Sequence, residues 1–566
     1  MASFQPIPWL MVSDDVGAPL VGGKIFTYIS GTTTLKTTYT DAALTIPNTN
    51  PIILNARGEA QMALASGAYS LRLLRADDTL VKTIDNVTDP ILAGIAAAAA
   101  SEASIRADLS ATTGSSIVGF IQSGIAAILR LVQDKLRETV TLEDFGGVGN
   151  GIADESLALS RAQVLLVNGG VIRGLNGKQY YFPAGFTLNK GISFVGTWVT
   201  REDVSVHDPL QGCSAILIDG TATITIANGA ELTKWLVWRK GLVAATSAVD
   251  AAAKVAGFVG TAITAGGADA KVRLNTIIGF NKAIVSASFE RGIFDENHFD
   301  CTNGLDVSLS TDITHVRRNH GWPFFTAHQS WTTPALLQRS GTAYKIYGTA
   351  DFIHVNQNFA YGYTGTYYFD LAAATVTDNK ADNVFALATG RIGIETRGNM
   401  NNVAFNNNHV DSHDINYKFA HTAGCTVGGV NTSGQSKGAS IQCGAGTNGS
   451  FGRFAVGGNC TYVIDFLAGI GKWRIDSMYI SSAASSGSAY NIAVADRPNV
   501  QIGWTSVTTG VATDDNFGYG LSTAPFVRPN HSSKTGLFVN GLDGTMGVSV
   551  NGFPSAIFTP VGSAVN

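Results

Sequence analysis

At 566 residues the chain exceeds one compact domain, which usually takes about 100–200 residues, unless a solenoid occupies much of it. Sixty-four glycines, 14% charged residues and a net charge of −4 favour turn-rich, extended β structure over charged helical surface. The 38 Lys and Arg are scattered and outnumbered by acids, which excludes the basic stripe of a nucleic-acid binder.

The opening stretch MASFQPIPWLM has no basic segment followed by a long apolar core, so no secretion signal is expected. From Trp9 to about Val87, short β-type runs alternate with turn signals such as Gly22-Gly23, Asn55-Ala56-Arg57-Gly58 and Ala76-Asp77-Asp78. Residues 1–88 therefore read as a small β domain, with Ile25, Tyr28, Ile52, Leu54 and Tyr69 on its apolar faces.

Residues 89–140 read as a helical neck, because 91–139 contain no proline and are rich in Ala, Ile, Leu and Ser. The run ILAGIAAAAA (91–100) is too short and too weakly apolar to cross a membrane, so no membrane insertion is expected. Val118, Ile121, Ile125, Ile128 and Val132 step by three and four, a two-heptad seam whose β-branched residues lean towards a trimer. An amphipathic helix packed inside one monomer is the alternative.

From 141 to 512 helical periodicity disappears and short apolar strands recur, each followed by an asparagine: Asn297, Asn319, Asn358, Asn379, Asn408 and Asn431. The intervals are 22, 39, 21, 29 and 23 residues, the period of a parallel β-helix coil with insertions in the second and fourth. Stacked coils place equivalent residues above one another, so the asparagines form an amide ladder, and Phe294, Val316, Val355, Val376 and Phe405 form an inward apolar stack. Five cysteines form no CxxC pair, and Cys425, Cys443 and Cys460 recur at about one coil, which suits stacked small apolar residues; no metal or cofactor is expected. Residues 513–566 are Gly- and Ser-rich and read as a short carboxy-terminal trimerising segment.

At the junction, Gln133–Val140 followed by Leu142-Glu143-Asp144-Phe145-Gly146-Gly147-Val148-Gly149-Asn150-Gly151 resembles the neck-to-solenoid signature of phage tailspikes with a pectate-lyase-like β-helix. Asp144 and the glycines would make the capping turn, and a helix over Asp154–Leu166 would cover the solenoid end. Asn150, Ala153 and Glu155 depart from the family pattern while preserving turn and helix-start chemistry. Gly17–Lys24, Tyr39-Thr40-Asp41, Asn50-Pro51-Ile52 and Arg57-Gly58 resemble the family's particle-binding head.

The resemblance implies an all-β, right-handed parallel β-helix trimer on the virion tail. Residues 1–88 would meet a tail or baseplate adaptor, and the solenoid would attach the virion to bacterial capsule or O-antigen polysaccharide. Such spikes often cleave glycans with paired carboxylates, which adjacent rungs about 4.8 Å apart can supply. The ladder alignment gathers acids, cations and aromatics in neighbouring columns: Glu296, Arg318, Gln357, Asp378 and Asn407 before the asparagine; His298, His320, Phe359, Lys380 and His409 after it; and Asp300, Trp322, Tyr361, Asp382 and Asp411 three after it.

The expected catalytic pairs are Asp295 or Glu296 with Asp300, and Asp378 with Asp382, with Arg317, Arg318, His320, Trp322 and Tyr361 binding substrate. Asp370 and Glu395 are further acids. Trp322-Pro323-Phe324-Phe325 with Trp331, in the longest insertion, suits either a sugar platform or intersubunit packing. The expected activity is glycoside hydrolysis by an endo-acting depolymerase; a non-catalytic adhesin and a polysaccharide lyase or deacetylase are the alternatives. GxSxG, HExxH and Walker motifs are absent.

Overall fold

The computed structural model describes residues 9–88, 90–197, 213–348, 351–371, 373–398, 400, 402–420, 424–481 and 490–507, and the strands 529–530, 535–539, 546–550 and 553–558. The Cys425 side chain and most of the expected trimerising segment 513–566 lie outside the described residues. The chain forms two compact units, Met1–Arg137 and Glu138–Asn566.

In the first unit, Lys24–Ile29 pairs with Ile52–Ile53 on one side and with Tyr69–Leu74 on the other, and Leu80–Val87 completes a four-stranded antiparallel sheet. The alternation in Lys24–Ile29 sends Ile25 and Thr27 into a core with Leu20, Ile52, Leu54, Leu64 and Tyr69. Tyr28, on the opposite face of the sheet, stacks on Phe26 with ring centroids 6.2 Å apart. Gly58 permits the Asn55 turn: its φ is +68°, and a Cβ there would lie 2.5 Å from the Val12 carbonyl oxygen.

The neck starts as the long helix Pro90–Ser110. The expected seam does not continue it. Gly119–Ile121 and Leu129–Leu131 instead pair as antiparallel strands, and a short helix, Val132–Leu136, follows. Gly124 at φ +145° and Ala126 at +61° reverse the chain, and the β-branched residues that spelled heptads suit strands as well as seams. Ile121, Ile125 and Ile128 are exposed.

The second unit is a right-handed parallel β-helix. Each coil contributes three strands, as in Ile293–Asp295, His298–Asp300 and Asn303–Thr311. The first and second strands of the coils belong to one 24-stranded sheet, whose two faces merge through long strands such as Gly424–Ser433, and the third strands make a 12-stranded sheet. At the amino end the Asp144 carboxylate accepts the Thr141 N–H at 2.7 Å. Buried Glu155 accepts the N–H groups of Val148 and Gly149, and the helix Ser156–Leu165 covers the core with Ala158, Leu159 and Ala162.

The asparagine ladder is continuous and begins one coil earlier than expected, at Asn275. Each side chain accepts the backbone and side-chain N–H of the asparagine below. Asn358 Oδ1, for example, accepts both Asn319 groups at 3.0 Å, while its Nδ2 donates to the Val316 carbonyl at 2.9 Å and to Asn379 Oδ1 at 3.0 Å. Phe294, Val316, Val355, Val376 and Phe405 stack in register inside it. Asn358→Ala, which removes four buried side-chain hydrogen bonds, is expected to cost about 3 kcal/mol or more. Guanidinium unfolding would show it as a lowered midpoint; an unchanged midpoint would mean the ladder adds nothing to stability.

A second apolar cluster lies outside the solenoid. Leu217, Leu236, Trp238 and Ile278 on the outer surface of the second face are roofed by the helix Ala248–Ala256 and by Phe324, Phe325 and Leu336 of the insertion after Gly321. Phe324 and Phe325 are therefore core residues of their own chain, which is neither of the roles expected for them.

Candidate functional site

In the short strands of the second face the second residue points inward, so Ala360, Ala381 and Val410 are buried and the residues on either side form two outward columns. One column runs His298, His320, Phe359, Lys380 and His409, continuing to Thr432; the other reaches Asp382 from Tyr361. The column before the asparagine faces neither sheet. Glu296, Arg318, Gln357, Asp378 and Asn407 all adopt φ between +53° and +59°, the left-handed turn at the corner between the first and second faces.

The first expected pair is not assembled. Asp295 ends a strand of the first face, buried, and its carboxylate takes Arg317 Nε at 3.1 Å and Arg318 Nε and Nη2 at 2.9 and 2.6 Å. Glu296 completes this ionic cluster through Arg318 at 3.2 Å, so Arg317 and Arg318 are occupied by carboxylates of their own chain. Asp300 is on the second face with side-chain exposure of 0%, paired with Arg339 at 1%: Nε and Nη2 donate at 2.7 and 2.9 Å, and the Phe325 N–H donates at 2.8 Å. It is closed off beneath the insertion, where no polymer reaches it.

The second expected pair is also divided, because Asp378 stands exposed in its corner turn while Asp382 stands on the second face across the ladder asparagine. The partner of Asp382 is Asp411, on the next rung. Burial pushes the Asp382 carboxyl above the ordinary carboxylate range and the Asp411 charge adds to this, against the Asn383 N–H at 2.7 Å, the Ser412 hydroxyl and His409. Next to Asp411, Gly434 is the residue that leaves room, since a Cβ there would lie 2.4 Å from the carboxylate.

On the other side of Asp382 the column turns aromatic. Tyr361 and Trp322 stack with centroids 4.8 Å apart at 28°, and Phe359 lies 6.2 Å from Trp322 at 27°. His320 sets its ring edgewise on Phe359 at 4.9 Å. His320, Trp322, Tyr361 and Asp382 of the expected residues are thus brought into one strip. Trp322 and Trp331 are half-buried where the strip meets the outer apolar cluster.

Asp370 and Glu395 are on strands of the third face. Glu395 is held by Arg397 at 2.9 Å and by Lys418 at 3.1 Å. Asp411 and Ser412 are the residues that the pairing of acids within one repeat overlooked. The signal was in the alignment, which put Asp382 and Asp411 in one column.

A half-buried acid whose pKa is raised, beside a second carboxylate, is the kind of pair that can divide acid and base roles. The neighbouring aromatic faces suit the C–H surfaces of sugar rings.

No protein-family model matches the sequence, and no curated protein matches it either. Among solved structures, tailspike protein 3 of bacteriophage CBA120 is similar with a TM-score of 0.39 and 12% identity, over 86% of this chain and 79% of that one. A tailspike mutant of the E. coli bacteriophage HK620, in complex with a pentasaccharide, gives a TM-score of 0.37 and 11% identity over 73% and 83%. The DFA-IIIase of Arthrobacter chlorophenolicus A6 gives 0.42 and 11% over 60% and 94%. Phage tailspikes are therefore among the proteins to which this chain is similar in structure.

Proposed function

We propose that this chain is a phage tailspike that attaches the virion to bacterial capsule or O-antigen and depolymerises that polysaccharide by glycoside hydrolysis on the second face of its solenoid. The observation that carries the reading is the Asp382–Asp411 pair on adjacent rungs, continuous with Tyr361 and Trp322.

Asp382, whose raised pKa suits it to carry the proton, gives it to the glycosidic oxygen as the bond to the anomeric carbon breaks. Asp411, as the nucleophile, closes on that carbon from the opposite side and forms a glycosyl ester. Asp382 then takes a proton from the water that displaces Asp411. Rungs about 4.8 Å apart are near the carboxylate separation of about 5–5.5 Å for this double displacement.

Residues 1–88 serve as the particle-binding head, which meets the tail or baseplate adaptor. The chain works as a homotrimer, for which the exposed Ile121, Ile125 and Ile128 supply apolar surface, and the segment 513–566 closes the trimer.

The purified protein, incubated with host polysaccharide, is expected to raise reducing ends and shorten chains, and its mass in solution is expected at three times the 59.2 kDa of one chain. No change in reducing ends, chain length, unsaturation or acetyl content would leave only an adhesin. Unsaturated or deacetylated products would replace hydrolysis with the corresponding chemistry.

A further inference from the structure

Most basic side chains on the coils around the aromatic strip hold a carboxylate of their own chain. Arg273 pairs with Glu231, Lys282 with Asp306, Arg339 with Asp300 and Arg397 with Glu395, each within 2.9 Å. Two that stand beside Asp382 and Asp411 hold none among the described residues: Lys380 and Arg391. Lys271 and Lys345 are also without an acid, but they stand on the first and third faces.

Arg391 closes an excursion, residues 383–391, that leaves the second face directly after Asp382. Both ends of the excursion are fastened beside the pair. The Asn383 N–H donates to the Asp382 carboxylate at 2.7 Å, and the Arg391 carbonyl accepts the N–H of Asp414, three residues after Asp411, at 3.0 Å. The Asp414 carboxylate turns to the Gly390 N–H at 2.7 Å rather than to the guanidinium.

The Arg391 side chain reaches back along the corner to the rung of Tyr361. Its Nε donates to the Leu387 carbonyl at 3.0 Å, Nη1 to the hydroxyl of Thr364 at 3.2 Å, and Nη2 to Gln338 Oε1. All three acceptors are neutral. They hold the guanidinium in place and leave one N–H on each terminal nitrogen uncommitted. A half-buried cation without a counter-charge is costly, and an arriving anion relieves that cost.

Lys380 stands on the other flank. It precedes Asp382 by two residues on one strand, so both project outward with backbones about 7 Å apart. It is exposed, in the column between Phe359 and His409. Phe385 and Leu387 of the excursion are exposed as well and extend the apolar surface next to Arg391.

Resting on the function proposed above, we infer that the polysaccharide is acidic, and that Arg391 takes the carboxylate of a sugar lying along Tyr361 and the Asp382–Asp411 pair, with Lys380 holding that charge from the opposite flank. A carboxylate suits the guanidinium because its two oxygens accept from both terminal nitrogens in one plane. The two cations also offset the repulsion that Asp382 and Asp411 exert on an anionic chain. A neutral polymer would leave both cations without a partner.

The test is binding to the Asp382→Asn protein, which reads recognition apart from cleavage. The probe is surface polysaccharide purified from a bacterium to which the protein attaches, used native and with its carboxyl groups reduced to alcohols. Reduction is expected to weaken binding about tenfold, and Arg391→Gln to weaken binding of the native polymer about as much while changing that of the reduced polymer less than about twofold. Lys380→Met is expected to weaken binding of the native polymer alone, by about threefold. It alters an exposed side chain, so it decides the question where Arg391→Gln fails to fold. A bound polymer without acidic sugars, or equal losses for native and reduced polymer, overturns the inference even where the parent protein cleaves the chain. Losses confined to the native form of a polymer that the parent protein leaves uncut uphold the inference and remove the hydrolase reading instead.

Discussion

Asp382→Asn is expected to lower kcat for host polysaccharide by about a thousandfold or more, and Asp411→Asn to do the same, with KM changed little in either. The amide that replaces the Asp382 carboxyl keeps the volume and hydrogen-bonding reach of the acid but has no proton to give the leaving oxygen. The amide that replaces the Asp411 carboxylate has no anion to close on the anomeric carbon. Neither change touches the stack of Tyr361 and Trp322, so binding persists.

Asp378→Asn is the control. It alters an exposed corner residue in the left-handed turn that asparagine also favours, and activity is expected to stay within about twofold. Loss of activity in Asp378→Asn with none in Asp382→Asn would move the site to the corner.

Stability separates loss of chemistry from loss of fold. The Asp382 carboxyl holds its proton more tightly folded than unfolded. The stability it contributes is therefore fully present below the unfolded pKa and is lost as pH rises through the higher folded value. Above that value the ionised group disfavours the native state, and asparagine removes this penalty. Asp382→Asn is accordingly expected to melt no lower than the parent at pH 8, where it is inactive.

The solenoid was legible because its physics repeats. A ladder asparagine must recur at each coil, and the residue three before it must be apolar, so Asn297 to Asn431 and Phe294 to Phe405 stand out from surrounding sequence that varies freely. The same alignment placed Asp382, Asp411, Tyr361 and Trp322 in one column. It did not say which columns face outward, because that depends on a turn residue at positive φ, and Glu296, Arg318 and Gln357 carry no mark of it in their types. Nor did it reveal that Asp300 is covered. Its cation, Arg339, comes 39 residues later, from the far end of an insertion whose packing follows no repeat. The neck misled for a local reason: Val118 to Val132 satisfies a heptad and a hairpin equally, and Gly124 with Ala126 decides for the hairpin.

Asp300→Ala is expected to destabilise the solenoid by about 3–5 kcal/mol, the cost of leaving one member of a buried ion pair without its counter-charge. Arg339 is then left with its guanidinium enclosed, donating only to the Leu336 and Gln338 carbonyls and Thr326 Oγ1. The Phe325 N–H loses its acceptor in the same step. Arg339→Met strands the Asp300 charge instead and is expected to cost as much, whereas the double change Asp300→Leu with Arg339→Met removes both charges and is expected to recover most of the loss.

Unfolding rates in guanidinium are the measure, since a long parallel solenoid is apt to unfold irreversibly. The loss should also be felt locally first. Asp300 and Arg339 clamp the two ends of the segment that carries Phe324, Phe325 and Leu336 onto the second face, so proteolytic cleavage between Thr326 and Gln338 is expected before the rungs open. Trp322 leads into that segment and supplies the far end of the aromatic strip. In the Asp300→Ala protein that remains folded, KM for polysaccharide should therefore rise several-fold while kcat, set by Asp382 and Asp411, holds. Equal loss of both would mean that Asp300 acts on the reacting bond, and an unchanged unfolding rate would mean that its pairing with Arg339 contributes nothing to the fold.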